Sequence, residues 1–571
     1  MLKKVKRVAI SGGGPSGLFV LKRLIETAGE LKLRIEIFEK KNQLGVGMPY
    51  SKEGACEEHI TNVSGNEIPG IVIPIKEWIK TAPQQTLDKF NISAAKFNDY
   101  KVLPRLLFGQ YLEAQFKLLL QRAKEKGIHT KVHLNTVVKD IVDDAQKNIV
   151  AIKTNANELM EFDYVVICTG HVWPKKHESK IACYFDSPYP PQKLALKLNH
   201  AVAIKGSSLT AIDTIRTLAK HNGGFIENES GKVSYRLAKG SEQFRMMMYS
   251  VNGLLPAVRF HLKDSHLSNE SSLTQEDINI NRQQHDGFLS LDYVFERAFK
   301  EPIKEKQPEF YKQIKNMNLE KFVECMMNLR ENIPPFLLLK AEYDEAAESI
   351  KKRQSVYWKE MLAVLSFMMN YPAKYFSAED MLRLQKVLMP LISIVIAFVP
   401  QSSVEQMLAL YQAGVLDVTP VDEDSKVEPQ QKGGATYHFK DEHGRKKSVY
   451  YNTYVDSAGQ PHLSLKDLPF KSLIDKKTVS QARLKFKDPA AGLEVMQQGN
   501  EDVIKDEQGN YYLNVQGIAI NDNFQVVDEY GIANERICMM AVPYIGGYNP
   551  DYSGLDFCEE ASSRVVESIV K

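Results

Sequence analysis

Six residues near the start, Gly12-Gly13-Gly14-Pro15-Ser16-Gly17, constrain the chain more than any other feature. They follow Val8-Ala9-Ile10-Ser11, a short apolar run suited to a central parallel strand buried on both faces. They precede a stretch of helix formers from Leu18 to Thr27. Gly12, Gly14 and Gly17 fit G-x-G-x-x-G, and a strand–turn–helix of that form meets three demands. It needs a tight turn, a backbone open to a pyrophosphate, and close contact between helix and strand. The helix, entered through Pro15 and Ser16, directs its positive end at the phosphates. A second strand-like run, Leu33 to Glu39, ends on a carboxylate 22 residues after Gly17. At that place Glu39 accepts hydrogen bonds from the ribose of an adenosine.

The rest of the chain extends this α/β reading. Val137 to Val142 and Ile149 to Ile152 form a small antiparallel meander, and Phe162 to Cys168 a buried strand ending at Thr169-Gly170. A second β-turn-α unit begins at Ala201 to Lys205, continues through Gly206-Ser207-Ser208, and runs a helix from about Leu209 to Lys220. Here serine replaces the second glycine. Its Cβ and hydroxyl either crowd a pyrophosphate or donate to it. Met246 to Ser250 is the next strand, and Ser250-Val251-Asn252 after it carries no arginine for a 2′-phosphate, although Arg245 and Arg259 are nearby. NADH and NADPH both stay open as the second cofactor. From Leu289 to Val415 the pattern is helical, with breaks at Pro334-Pro335, Tyr371-Pro372 and Pro390. Lys300 to Lys315 mixes cations with Glu301, Glu305 and Glu309 and reads as a solvated face.

Composition excludes several classes. Lysine and arginine total 73 against 71 acidic residues, so no global field draws the chain to nucleic acid or an anionic membrane. Val387 to Val399, the most apolar stretch, is broken by Pro390 and falls short of the roughly 20 residues of a spanning helix. A core helix is the expectation there. The basic N-terminus lacks the apolar core of a signal peptide. The six cysteines form no C-x-x-C pair, which argues against a disulfide framework, a zinc knuckle or a vicinal redox dithiol and suits a reducing, cytoplasmic setting. His59, His171 and His261 show no metal-ligand spacing, so no metal is expected.

The ordered set Gly12-Gly14-Gly17, Glu39, Cys168-Thr169-Gly170 and Gly206 resembles flavoproteins with two dinucleotide-binding domains. Gly47-Met48-Pro49-Tyr50-Ser51, Asn62-Val63, Pro104-Arg105 through Tyr111-Leu112, and Ser208 through Asp213 narrow the resemblance. They are similar to the bacterial FAD/NAD(P)-binding proteins related to flavin-dependent amine N-oxygenases. The resemblance covers residues 1 to about 260 well and the last 120 loosely. It implies a glutathione-reductase-like FAD domain, a second Rossmann-like domain and an inserted helical subdomain.

The resemblance also implies residue roles. Gly12, Gly14 and Gly17 hold the FAD pyrophosphate and Glu39 its ribose, while Val138 meets the adenine through its backbone. Arg105 is either a phosphate or ribityl contact or a helix-surface ion pair, and Thr169-Gly170 marks the exit from the FAD domain. Ser553, Gly554 and Leu555 open a helix, with its body from Asp556 to Val570, that either aims its N-terminus at the flavin N1–C2 carbonyl or simply packs. Ile537 to Ala541 is a good strand, but no aspartate follows in the ribityl position. His171 and Trp173 sit where two domains meet, as channel lining or as packing.

The expected boundaries are 1–195 and 465–571 for the FAD domain, 196–288 and 416–464 for the second domain, and 289–415 for the helical insertion as lid or partner surface. The expected activity is an FAD-dependent, NAD(P)H-linked, monooxygenase-like oxidoreductase acting on a small molecule, with no catalytic residue assigned. A flavin-binding regulatory or assembly protein is the alternative. Substrate and oligomeric state are left open.

Overall fold

The computed structural model describes residues 5–29, 31–251, 253–263, 273–441, 443–460, 463–551 and 554–571. Two parallel sheets organise them, each growing from one of the glycine turns. The first part of the chain supplies β1 (Lys6–Ser11), α1 (Pro15–Thr27), β2 (Leu33–Phe38), α2 (Arg105–Glu125), β3 (His129–His133) and β4 (Tyr164–Ile167). Next come β5 (Tyr184–Phe185), β6 (Ala201–Lys205), α3 (Leu209–Asn222) and β7 (Arg245–Val251). After the helical insertion follow β8 (Leu416–Val421) and β9 (Thr453–Asp456). The last part carries β10 (Gln481–Lys485), β11 (Val503–Lys505), β12 (Tyr511–Ile518), β13 (Gln525–Val527), β14 (Ala533–Met539) and α4 (Gly554–Val570).

The first sheet runs β13-β14-β4-β1-β2-β3. Val8, Ala9 and Ile10 are fully buried in its centre, as a strand covered on both faces requires. Its five long-range pairs run parallel except at β13, which caps the edge antiparallel to β14. The second sheet, β5-β9-β6-β7-β8, is parallel throughout. Its β5 comes from residues ahead of the boundary expected at 195. A three-stranded antiparallel sheet, β10-β12-β11, is separate from both.

The helical insertion does not hang free. Phe295, Phe299, Phe322 and Leu391 join the apolar core of the first sheet, whereas Phe336, Leu339, Val404 and Leu410 join that of the second. The segment around Pro390 is a helix, Met389–Val395, half-buried through Leu391, Ile392 and Val395. It continues a helical run from Ala378, and the proline follows a π-helical turn, Leu384–Leu388, that accommodates its missing N–H. Glu348 and Lys352 form the ion pair expected from their spacing, at 3.1 Å. One expectation fails. Lys300 is buried, its Nζ donating to the Lys315 carbonyl and pairing with Glu296, so the 300–315 stretch is not solvated throughout. Among the described residues no helix is long and apolar enough to cross a membrane.

Candidate dinucleotide-binding sites

At the first turn each glycine has its own reason. Gly12 has φ +117°, and a Cβ there would fall 2.4 Å from the Cys168 carbonyl oxygen at the end of β4. A Cβ on Gly17 would stand 2.1 Å from the Gly12 carbonyl oxygen, which is the close helix–strand contact the motif demands. Gly14 has ordinary extended backbone, and its Cβ position is met by Gly47 at 3.2 Å. The second glycine therefore faces the 44–50 loop, which the Gly45 N–H ties to the Gly13 carbonyl at 2.7 Å. In the sequence this loop appeared only through Gly47-Met48-Pro49-Tyr50-Ser51, a motif of the resemblance.

α1 starts at Pro15 with no side-chain cap, so its first-turn N–H groups are left to an outside acceptor. Glu39, nearly buried, accepts from the Gly13 N–H at 2.8 Å and the Lys41 N–H at 2.9 Å. Each carboxylate oxygen has capacity for a further bond, so the group is oriented but not exhausted. The Thr136 N–H donates to the Glu39 carbonyl (2.9 Å), which brings the strand opening at Val138 alongside. Thr169 touches Gly12, with its N 3.2 Å from the Gly12 Cβ position, while Gly170 is exposed with nothing within 4 Å.

α4 completes this end. The Lys6 Nζ at the foot of β1 donates to the Ile569 carbonyl near the end of α4 (2.7 Å), and the Ser16 hydroxyl lies 3.4 Å from Cys558 Sγ near its beginning. The N-termini of α1 and α4 thus sit together at the carboxyl edge of the sheet. α4 begins at Gly554, two residues earlier than expected, with Leu555 buried; Ser553 lies outside the described residues. An uncapped helix N-terminus, two glycines that admit no Cβ and an oriented carboxylate fit an adenine dinucleotide with its pyrophosphate on α1 and its ribose on Glu39.

Arg105 forms an ion pair, as one of the two sequence expectations had it, but a largely buried one between two elements rather than one on a helix surface. Its Nη1 donates to Asp213 Oδ2 at 2.6 Å and its Nε to the Ile60 carbonyl at 2.9 Å, both nearly shut off from solvent. The pair is largely withdrawn from solvent, so each charge depends on the other: losing one partner would leave the other buried and unpaired. The Tyr189 hydroxyl donates to the same Asp213 oxygen at 2.8 Å. Burial pushes the Asp213 carboxyl up, but the Arg105 charge and the Tyr189 bond outweigh it and hold the group below the ordinary carboxylate range.

His59, fully buried, accepts at Nδ1 from the Cys56 N–H (3.0 Å), so its Nε2 carries the proton. That Nε2 faces the Asp213 carbonyl at 3.2 Å and the Thr217 hydroxyl at 3.0 Å. Burial pushes its pKa down and keeps the ring neutral. Together these groups clamp the first part of the chain to α3. Trp173 joins the same seam, its ring 5.0 Å from Tyr189 and its indole N–H reaching the Gly459 carbonyl at 3.3 Å. The sequence quoted Arg105 and Asp213 within motifs but gave no signal that they meet.

The second turn repeats the backbone of the first. Gly206 has φ +101°, and its Cβ would lie 2.8 Å from the Ser457 carbonyl oxygen at the end of β9. Its N–H donates to the Tyr249 carbonyl at 2.7 Å, as the Gly12 N–H does to Phe38 at 2.9 Å. Ser208 caps α3 with φ −87° and ψ −164°, close to the −78° and −163° of Gly14, and makes no side-chain cap bond. The strand registers align Lys205 with Tyr249 and Ser11 with Phe38, so Ser250 stands where Glu39 does. The Ser207 hydroxyl donates to the Leu254 carbonyl (2.8 Å) and lies in hydrogen-bond reach of Ser250 Oγ (2.9 Å). Asn252 lies outside the described residues, Arg245 turns to the Phe244 carbonyl, and Arg259 is buried against Glu67 and Ser64.

Residues 9–172 match a family model described as FAD-NAD(P)-binding, and residues 274–396 one described as a YdhS-like middle domain. The chain is 27% identical over 575 residues to the uncharacterized protein YdhS of Escherichia coli (strain K12), covering 99% of this chain and 98% of that one. Among solved structures it aligns with the ornithine N-hydroxylase of Kutzneria sp. 744 at 11% identity, 99% of each chain and a TM-score of 0.48. It also aligns with the cadaverine monooxygenase DfoA of Erwinia amylovora at 13% identity, 99% and 95% coverage and a TM-score of 0.42. The first glycine turn, Glu39 and α1 lie within the stretch 9–172 that matches the FAD-NAD(P)-binding model.

Proposed function

We propose that the chain is an FAD-dependent oxidoreductase that takes reducing equivalents from NAD(P)H and acts, as a monooxygenase does, on a small molecule. One observation carries this reading: two glycine turns of matching backbone geometry, at Gly12 and Gly206, end the central strands of two parallel sheets joined through Arg105 and Asp213. The FAD-binding unit takes residues 1–195 with 465–571, the nicotinamide unit 196–288 with 416–464, and the helical insertion 289–415.

Bound FAD would supply a hydride acceptor and an electron donor toward oxygen or an organic acceptor. The chain's part is to hold and exclude. The α1 N-terminus with Gly12, Gly14 and Gly17 holds the pyrophosphate, and Glu39 orients the ribose. The α4 N-terminus places positive potential where negative charge builds on the reduced ring. Gly206, Ser207 and Ser208 receive the nicotinamide dinucleotide. The Arg105–Asp213–Tyr189 clamp fixes the angle between the two units, and Trp173 closes the seam to water. The lack of any C-x-x-C pair favours a monooxygenase or simple oxidoreductase over a disulfide reductase.

The test is anaerobic mixing of the FAD-loaded protein with NADH and, separately, NADPH, followed by admission of air. The expected result is bleaching of the flavin absorbance with at least one donor and recovery in air. Flavin that stays oxidised with both donors would overturn the reading in favour of a flavin-binding regulatory or assembly protein.

A further inference from the structure

A cavity of about 620 Å³ opens between the helical insertion and the face of the β10-β12-β11 sheet. Five cations line it, Arg282, Lys374, Lys477, Arg483 and Lys485, against two carboxylates, Asp528 and Glu529. With Asp522, which pairs with Lys374 at the cavity wall, five cations meet three carboxylates, a local excess of two positive charges. All three carboxylates are already engaged. Glu529 pairs with Lys477 at 2.7 Å, and Asp528 Oδ1 accepts from the Tyr530 and Ile532 N–H groups at 2.9 and 2.8 Å. Lys374 is paired with Asp522. Among the described residues Arg282, Arg483 and Lys485 reach no carboxylate within ion-pair distance.

The alternation of β10 explains one wall. Gln481, Arg483 and Lys485 point to the same face, and Arg483 and Lys485 stand opposite Asn514 and Tyr512 of β12. Arg483 lies over the Tyr512 ring, its guanidinium carbon 4.8 Å from the centroid. On the facing wall Arg282 lies over Tyr375 at 3.7 Å. A guanidinium resting over an aromatic ring is held by the ring without spending its N–H donors, which leaves them for carboxylates or phosphates. Arg282 spends one donor, its Nε, on the Gly287 carbonyl at 3.1 Å. In a half-enclosed cleft with low-dielectric walls, such charges act on an anion far more strongly than on an open surface.

We infer that this cavity is a binding site for a small polyanion, a compound carrying two or more carboxylate or phosphate groups, held between the two arginine–tyrosine stacks. The inference rests on the cavity alone and is independent of the redox reading. The ligand also bears on the flavin-binding unit, because Tyr548 lines the same cavity and exchanges bonds with the Arg483 backbone, accepting from its N–H at 3.2 Å and donating to its carbonyl at 2.9 Å. Tyr548 belongs to the stretch that leads into α4.

Isothermal titration of the full chain, pre-loaded with FAD so that the first glycine turn is filled, tests this with citrate and with inorganic pyrophosphate at low ionic strength. The expected result is saturable binding of one equivalent of at least one probe, weakening as salt is added. Binding of citrate alone marks a polycarboxylate site, and of pyrophosphate alone a phosphate site. Arg483→Gln and Arg282→Gln should each weaken it about tenfold, while Lys351→Gln, on an exposed helix face, should not change it. Arg483 is exposed, so its replacement leaves the fold intact, and an unchanged melting temperature verifies that. Failure of both probes to bind, or binding of undiminished affinity in Arg483→Gln, overturns the proposal.

Discussion

The two glycine turns share a backbone and differ in chemistry. Gly12 and Gly206 have the same left-handed φ, the same approach to a neighbouring strand's carbonyl and the same N–H partner. Those features belong to the turn itself, and no L side chain meets them. Beyond the first glycine the units part. Gly13, Gly14, Gly17 and Glu39 correspond to Ser207, Ser208, Ala211 and Ser250. The Gly13 N–H grips a carboxylate, whereas the Ser207 hydroxyl grips another hydroxyl. The lesson is that the first glycine reports the fold, and the later positions report the ligand. A carboxylate at the end of the second strand favours a free ribose and repels a 2′-phosphate; Ser250 carries no such repulsion.

The largest effect should separate the third positions. Gly17→Ala puts a methyl group 2.1 Å from the Gly12 carbonyl oxygen, an overpacking of about 1–3 kcal/mol that also displaces the α1 N-terminus. The protein should purify without flavin and with a clearly lowered melting temperature. Ala211→Gly, its counterpart, should cost about 1 kcal/mol and leave the flavin in place. Equal behaviour of the two variants breaks the comparison.

The acidic position comes next. Glu39→Ala removes charge-assisted bonds of about 1.5–3 kcal/mol, or a ten- to hundredfold loss of FAD affinity on titration into stripped protein. Ser250→Ala should leave FAD affinity unchanged. Ser250→Asp should shift the ratio of flavin reduction rates from NADPH toward NADH by about tenfold, since it restores a ribose acceptor and repels a 2′-phosphate. An unchanged ratio shows that Ser250 does not face the nucleotide.

The smallest effect concerns α4, which serves the first turn. Burial pushes the Asp551 carboxyl, in the segment leading to this helix, up to about 6 from an ordinary 3.8. The fold therefore favours the neutral acid. The disadvantage of ionising it is absent below about pH 4, grows as pH rises to about 6 and is complete above that. Asp551→Asn should melt a few degrees higher than the parent at pH 8, with no advantage at pH 4. A constant difference across that range removes the buried charge as its cause.

The parts legible in the sequence are those written in adjacent residues. β1, the glycine turn, α1 and Glu39 lie within 40 positions, and the burial of β1 follows from its unbroken apolar run. The Arg105–Asp213 pair was not legible, because an arginine at a helix start reads alike whether it meets a phosphate, water or a carboxylate 108 residues away. Gly47 against Gly14 was missed for the same reason: a loop glycine signals freedom, not the partner it meets. Lys300 shows the limit of charge patterning. Mixed lysines and glutamates suggest solvent, yet a nearby carbonyl and Glu296 suffice to bury one ammonium. The cavity cations Arg282 and Arg483 are 201 positions apart and on different elements, so only the folded chain makes them a cluster.

The order of the first sheet also has a consequence for biosynthesis. β4 ends at Ile167, and its outer neighbour β14 begins only at Ala533. At roughly 5–20 residues per second, a ribosome takes about 20–70 s to span that gap. Throughout it β4 presents an open edge with Val165, Val166 and Ile167, all completely buried in the finished protein, and an unpaired edge of that kind is a template for pairing with other chains. Early packing of α1 and α2, or a chaperone, would shield that strand until the last 39 residues arrive. A chain cut short after the helical insertion keeps that edge open for good.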